Sequence, residues 1–321
     1  MDRREFVTTA TSSLALLGAG HLAAQEAGAE TKAKAEAAEP FQLLFAPKAE
    51  HFGGGKTIEK YLDSMKKAYD AGFRAWEDNW LVGRAAKDQE KIGEFLKDKG
   101  MTMGVSVVTT GGAAYFYGAS EAEKNKILSD YRKSVETAQR VGHKWFTLVP
   151  GTRDKSEPLE EQMKGCVDLM QECCDIFEEA GLIAVVEPLA HGLKKKPVLL
   201  ETFQEGAAFC KLVNRPSCKL LADYYHQQQV GGNLIKATNE CWDQIAYVQY
   251  GDVPGRKQPG TGEINYVNVS KHLKKKGYTG VVGLEHGIRG KSKDLVKAYR
   301  EIDAALKPES TRLAARFALL E

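Results

Sequence analysis

Eight short β-rich runs recur along the chain, and helical patterns fill the gaps between them. The runs fall at 41–47, 74–80, 102–109, 145–150, 183–189, 218–225, 245–251 and 280–285. Their centres lie roughly 27 to 42 residues apart, enough for one helix and two turns. Ser120 with Glu123 three residues later makes a capping box. Ile127, Leu128, Tyr131, Val135 and Ala138 follow it at helical spacing, and Leu295, Val296, Tyr299, Ile302 and Leu306 form a similar stripe. Gly72, Gly100, Gly142, Gly181 and Gly277 each stand shortly before a strand, where helix C-caps belong. Strand-helix alternation implies parallel strands with right-handed crossovers. Eight units in about 280 residues match an α/β fold of the (β/α)8 TIM barrel type. A doubly wound open sheet is the alternative, but it usually has fewer strands and a glycine fingerprint at its first turn.

The first forty residues stand apart from this pattern. Residues 2–8 read Asp-Arg-Arg-Glu-Phe-Val-Thr, and a mildly apolar stretch runs on to about Ala24. Ala23, Ala24, Ala27 and Ala29 offer small residues for cleavage. A charged start, apolar middle and small-residue end read as a secretory signal over 1–24. Arg3 and Arg4 followed by Phe6 resemble a twin-arginine signal, which implies an exported, periplasmic protein. Residues 25–40, rich in Ala, Glu and Lys, read as a flexible linker. The barrel then spans 41–306. In the helical tail 307–321, Leu313, Phe317 and Leu320 would pack on the barrel or on a second copy in a homo-oligomer.

Composition removes several classes. Mean hydropathy is −0.39 and no run of 18 apolar residues occurs, so no membrane span is expected after processing. The 45 basic and 43 acidic residues leave a net charge of +2, too weak a field to draw nucleic acid. Six cysteines in an exported chain raise the question of disulfides. Yet Leu159, Met163, Cys166, Met170, Cys173 and Phe177 form one helical stripe, which makes the thiols small core residues. No CxxC occurs, so a structural zinc knuckle is not expected.

In such a barrel the active site lies at the C-terminal strand ends. Those ends carry Glu77 in the second run, Glu187 in the fifth, and Asp223 with His226 in the sixth. The seventh gives Gln249 and Asp252, followed by Arg256, and the eighth gives Glu285 and His286. Acids in apolar runs such as Ala-Val-Val-Glu187-Pro are costly to bury unpaired. Each alone could cap a helix or pair with a lysine. Four on consecutive strands point to a divalent cation, and three carboxylates with an amide oxygen suit Mg²⁺ or Mn²⁺ better than Zn²⁺.

The segment Tyr-Val-Gln249-Tyr-Gly-Asp252-Val-Pro-Gly-Arg256, continuing to Gly-Thr-Gly-Glu263-Ile-Asn-Tyr266, resembles the strand-7 signature of hydroxypyruvate isomerases. Those enzymes belong to the xylose isomerase-like sugar isomerase/epimerase barrels. Val-Glu187-Pro-Leu, Ala-Asp223-Tyr-Tyr-His226 and Gly-Leu-Glu285 follow in the expected order, so the resemblance covers about 41–306. It implies one divalent ion held by Glu187, Asp223, Gln249 and Glu285, with Glu187 and Glu285 doubling as the acid/base pair. It also implies that His226 and Arg256 contact substrate oxygens, and we add Glu77 and Glu263 to that substrate-facing set. Gln at the third ligand position is similar to the hydroxypyruvate isomerases, whereas the tagatose 3-epimerase branch has His. Ala190 stands where the family usually has Asn, 191–197 is lysine-rich, and His286 replaces a usual Tyr. These positions are expected to face the substrate.

Moving a carbonyl between adjacent carbons requires a proton to leave one carbon and return to its neighbour, through a cis-enediolate. A cation bridging the two oxygens stabilises that charge, and two carboxylates move the proton. The reading is therefore a metal-dependent isomerase of a small ketose or keto-acid. A ketose 3-epimerase and a non-catalytic, metal-containing carbohydrate-binding barrel are the alternatives. A three-zinc endonuclease of the same superfamily needs more histidines at strand ends than these seven supply.

Weaker signals remain. Gly53-Gly54-Gly55-Lys56-Thr57 is not a phosphate loop, because Glu50 stands where that motif needs glycine. It is expected to be a mobile loop with Thr57 as N-cap. Gly111-Gly112-Ala-Ala-Tyr115-Phe116-Tyr117 reads as a lid or a packing loop, and Trp76 and Trp80 either line the pocket or fill the barrel.

The leader generates one prediction. Replacing Arg3 and Arg4 together by lysine should abolish export while leaving the truncated enzyme active. Cell fractionation checks this, and wild-type periplasmic levels of the double mutant would overturn the twin-arginine reading.

Overall fold

The computed structural model describes residues 37–108, 115–191 and 196–308. The signal (1–24), most of the linker (25–40), Gly111 and Gly112, residues 192–195 of the lysine-rich segment and the tail beyond 308 lie outside them. Among the described residues nine strands occur: β1 (Leu44–Ala46), β2 (Ala75–Trp76), β3 (Thr102–Met103), β4 (Ser106–Val107), β5 (Trp145–Leu148), β6 (Ile183–Val186), β7 (Cys218–Asp223), β8 (Ile245–Tyr250) and β9 (Val281–Leu284). Every paired strand is parallel to its neighbour, in the order β1-β9-β8-β7-β6-β5-β4, with β2 on β3. Single backbone bonds close the ring. The Glu77 N–H donates to Pro47 O at 2.9 Å, and the Val107 N–H donates to Asn79 O at 3.1 Å. The eight expected runs are therefore the eight staves of a (β/α)8 barrel.

One stave departs from expectation. The run 102–109 is split into β3 and β4, because the Val105 N–H turns away from the ladder to donate to the Tyr247 hydroxyl at 3.2 Å. Gly104 allows this approach, since a Cβ there would overlap that hydroxyl.

Each strand is covered on both faces, which is why the runs are almost continuously apolar. One set of alternate residues packs into the lumen: Ala46, Ala75, Val105, Val185, Leu221, Tyr247 and Val281. The other set, including Phe45, Phe146, Val186, Leu220, Val248 and Leu284, meets the surrounding helices. The capping box at Ser120 opens helix Glu121–Val141, and Gly100 and Gly142 end their helices with positive φ. Thr57 caps helix Ile58–Asp70. Upstream of the Gly53-Gly54-Gly55 run, Ala49–Phe52 is a 3-10 turn with His51 and Phe52 buried. The stripe from Leu159 to Phe177 runs over two helices, Leu159–Lys164 and Val167–Glu179. All six cysteines are buried free thiols. Trp76 fills the wall and donates to the Tyr61 hydroxyl at 2.7 Å, whereas Trp80 is 62% exposed. No helix among the described residues is long and apolar enough to cross a membrane.

Gly93 provides a test of this packing. It lies inside helix Ala86–Lys99, where propensity alone favours Ala by about 1 kcal/mol. A Cβ there would overlap the carbonyl oxygen of Arg140 on the neighbouring helix. Gly93→Ala should therefore destabilise, by about 1–3 kcal/mol in urea unfolding. A gain in stability would show that the two helices separate freely.

Candidate active site at the C-terminal mouth of the barrel

Side chains two residues apart on a strand face the same way. Two residues beyond the lumen layer at Ala75, Val185, Leu221 and Tyr247 stand Glu77, Glu187, Asp223 and Gln249. Beyond Val281 come Gly283 and then Glu285. Strand pairing sets their heights. A register shift between Leu220 and Leu221 brings Asp223 level with Gln249, and Gln249 is level with Gly283. The chain thus stacks polar side chains on an apolar plug at one end of the barrel.

Glu187, Asp223 and Gln249 are buried, and Glu285 is more open. The Arg256 guanidinium joins them: its Nη2 donates to Asp223 Oδ2 and to Glu285 Oε2, both at 2.8 Å. Its Nε donates to the Glu285 carbonyl at 2.9 Å, and its φ of 50° is in the left-handed region. Asp252 anchors the loop that carries it, accepting the N–H groups of Val253, Thr261, Gly262 and Ile264. Asn79 Nδ2 donates to Glu285 Oε1 at 3.0 Å, and the Thr147 hydroxyl to Glu187 Oε2 at 3.4 Å. Asp223 Oδ1 accepts the Tyr225 N–H at 2.8 Å, capping the helix that presents His226.

His226 is oriented by the backbone. Its Nδ1 accepts the Ala190 N–H at 3.1 Å, so in the neutral ring Nε2 carries the proton. That Nε2 is buried without a hydrogen-bond partner among the described residues, 3.6 Å from Asp223 Oδ2 and 3.8 Å from Glu187 Oε1. Burial, then the Arg256 charge, lowers the His226 pKa to about 3. Burial raises Glu187 well above the ordinary carboxylate range, with the Glu285 and Asp223 charges adding to the effect. Asp223 is also raised by burial, against the pull of Arg256. Burial and the Glu285 charge push Glu77 up to about 8. Burial works against the Arg256 charge, but Glu285 and Asp223 outweigh it and raise its pKa.

These groups fit a divalent cation. Glu187, Asp223 and His226 each offer a ligand atom, all within 4.8 Å of one another. Gln249 Oε1 is buried without a partner among the described residues, an amide oxygen in need of one. His226 would have to give up either its proton or its bond to Ala190 to ligate, so the oxygen donors are the better set. Raised carboxylates packed together are the condition a cation relieves.

The structure brings Glu187, Asp223, Gln249, Glu285, His226 and Arg256 together. It places two expected substrate contacts elsewhere. Glu77 is fully buried against Gln249, accepting from Tyr247 Oη at 2.8 Å and Gln249 Nε2 at 3.2 Å. Glu263 is exposed and accepts from Gln228 Nε2 at 3.0 Å, because its loop is turned outward by Asp252. His286 also faces away from the mouth: its Nε2 meets the Tyr299 hydroxyl at 2.8 Å and its ring stacks on His51. One residue past Glu285, it takes the opposite face of the chain. Thr147, Asn79 and Tyr247 were missed. Spacing by two from Trp145, Glu77 and Gln249 was the available signal. Phe116, in the segment read as a lid or a packing loop, is buried and its N–H donates to Pro150 O.

A family model described as Xylose isomerase-like TIM barrel matches residues 65–307. The chain belongs to that family. A 2-oxo-tetronate isomerase of Pectobacterium atrosepticum is 25% identical over 237 residues, 73% of this chain and 89% of that protein. A putative hydroxypyruvate isomerase of Xenopus laevis is 27% identical over 251 residues, 76% of this chain and 89% of that protein. The crystal structure of an AP endonuclease, family 2, from Brucella melitensis superposes with a TM-score of 0.69 at 21% identity. It covers 80% of this chain and 98% of its own, and at that identity it shows the fold alone. With these relatives, both named as isomerases, the protein is placed among the isomerases of this barrel family.

The fit to a cation has a direct test. Mn²⁺ should raise the Tm of the wild type, as any ligand of the folded state does. Asp223→Asn, which keeps the cap on Tyr225, should lose most of that rise and most bound metal by elemental analysis. Equal metal content in both proteins would remove Asp223 from the site.

Proposed function

We propose that the protein is a divalent-metal-dependent isomerase of the hydroxypyruvate isomerase type, acting on a small ketose or keto-acid. The observation that carries this reading is that Glu187, from β6, and Glu285, beyond β9, converge on one mouth with Asp223 and Gln249 between them. The kinship to 2-oxo-tetronate and hydroxypyruvate isomerases supports it.

Glu187, Asp223, Gln249 and Glu285 would hold the ion, with Mg²⁺ or Mn²⁺ matched to oxygen donors. When bound, it would polarise the substrate carbonyl and stabilise negative charge on the two adjacent oxygens. The protein's own groups do the rest. His226 Nε2–H, fixed as a donor by Ala190, hydrogen-bonds a substrate oxygen. Arg256 offers its guanidinium to the same anionic region. One glutamate removes the proton from carbon and the other returns it to the neighbouring carbon, through a cis-enediolate. The dry apolar plug under the site limits loss of that proton to water. Return to the opposite face of the same carbon would give a ketose 3-epimerase. On the twin-arginine reading, the reaction takes place in the periplasm.

Glu187→Gln and Glu285→Gln should each lower turnover by about 10²–10⁴, since each removes a proton carrier while keeping an oxygen. The double variant should cost little more than the worse single, because residues acting as a unit are not additive. Each must first be shown to bind its ion. Deuterium wash-in from D₂O separates an enzyme from a binding barrel. Wash-in at the wild-type rate by metal-loaded Glu285→Gln would leave Glu285 as a ligand only.

A further inference from the structure

We propose that Glu77 is a positioning residue that fixes which end of the Gln249 amide faces the metal site, through a directional relay running from the Val105 backbone to Tyr247, Glu77 and Gln249. The inference rests on the reading of Gln249 as an oxygen ligand.

An amide side chain is ambiguous: rotating it by half a turn exchanges an acceptor for two donors. A ligand glutamine therefore needs something to hold its oxygen outward. The relay begins at a group whose direction cannot be reversed. The Val105 N–H donates to the Tyr247 hydroxyl at 3.2 Å. The phenol, already an acceptor, spends its own proton on Glu77 Oε2 at 2.8 Å. Glu77 Oε1 then accepts from Gln249 Nε2 at 3.2 Å, so the relay runs with Glu77 ionised, the form that a cation among the neighbouring acids favours. With the nitrogen turned to Glu77, Gln249 Oε1 points the other way, where it is buried and has no partner among the described residues.

Two glycines clear the path. A Cβ at Gly104 would overlap the Tyr247 hydroxyl, and one at Gly283 would overlap Glu77 Oε2. Neither glycine has a positive φ, so room for the relay, and not backbone conformation, accounts for the missing side chain. The relay also explains why Glu77 stands inside the barrel and not at its rim.

The direction makes a prediction that a packing role does not. In Glu77→Gln, the Tyr247 proton still requires an acceptor, so the new amide turns its oxygen to Tyr247 and its NH₂ to Gln249. Gln249 must then rotate and present NH₂ to the ion. Adding Gln249→Glu repairs this, because a carboxylate accepts from the amide introduced in place of Glu77 with one oxygen and ligates with the other. The double variant keeps the net charge and the hydrogen bonds of the wild type.

The experiment is Mn²⁺ titration calorimetry on the full chain, with metal-free Tm as a check on folding. Glu77→Gln should bind Mn²⁺ about 10–100-fold more weakly than wild type, the usual cost of losing a partner behind a metal ligand. The Glu77→Gln/Gln249→Glu double variant should recover to within about threefold of wild type, on the scale of that same effect. Unchanged affinity in Glu77→Gln, or a double variant no better than the single, overturns the relay. Should Glu77→Gln fail to fold, the double variant still decides: a folded double variant without Mn²⁺ affinity overturns the proposal, and one that binds supports it. A wild type that binds no Mn²⁺ is a different failure, since it removes the metal reading itself and the relay's purpose with it.

Discussion

The strands of this barrel are covered on both faces, and everything at the mouth follows from that. A parallel strand with helices outside and seven other staves inside has no wet side along its length. Polar side chains can enter the lumen only near its open end, and there they are crowded. Glu77, Glu187 and Asp223 are all buried within one layer or two of each other. Burying charge in this way costs several kcal/mol per ion unless it is paired. The arrangement is therefore functional in character. A chain selected for stability alone would have continued the Val, Leu and Tyr layer one step further.

Arg256 is the protein's own answer to part of that cost. It reaches Asp223 and Glu285 with one nitrogen and holds the Glu285 carbonyl with another. Its loop is built for the purpose, since Asp252 gathers four backbone N–H groups and Arg256 itself accepts a left-handed φ. His226 is handled differently. A backbone N–H claims its Nδ1, burial keeps the ring neutral, and a single donor remains, aimed at the acids. One residue thus contributes a fixed charge and the other a fixed direction, and both are set by backbone contacts far from them in sequence.

Much of this was legible in the chain itself. The apolar runs, the capping box at Ser120, the glycine C-caps and the cysteine stripe are local patterns, and they became the expected elements except that the third run splits at Val105 and the cysteine stripe is divided over two helices. Glu187, Asp223, Gln249 and Glu285 were found as a group because strand ends are local features and the barrel rule supplies the rest. Side-chain alternation is equally local. Glu187 follows Val185 and Gln249 follows Tyr247 onto the lumen face whatever the partner strands do. The run-on resemblance around Gln249 and Arg256 added the family, which the family-model match over 65–307 bears out.

What only the tertiary structure decided was height, partner and side. Glu77 and Glu187 have the same alternation, yet one is enclosed by Tyr247 and Gln249 and the other stands beside His226 and Thr147. The difference arises because stave heights are set by hydrogen bonds to neighbours distant in sequence. Nothing local in the sequence marks Tyr247, whose hydroxyl takes the Val105 N–H out of the third stave. His286 and Glu263, named from motif neighbours, turned away because a neighbour in sequence on an extended chain faces the opposite side, and because Asp252 bends the loop outward. A linear sequence specifies which face a side chain takes on its own strand. The level at which strands meet is a property of the closed ring, in which each stave's position depends on all the others.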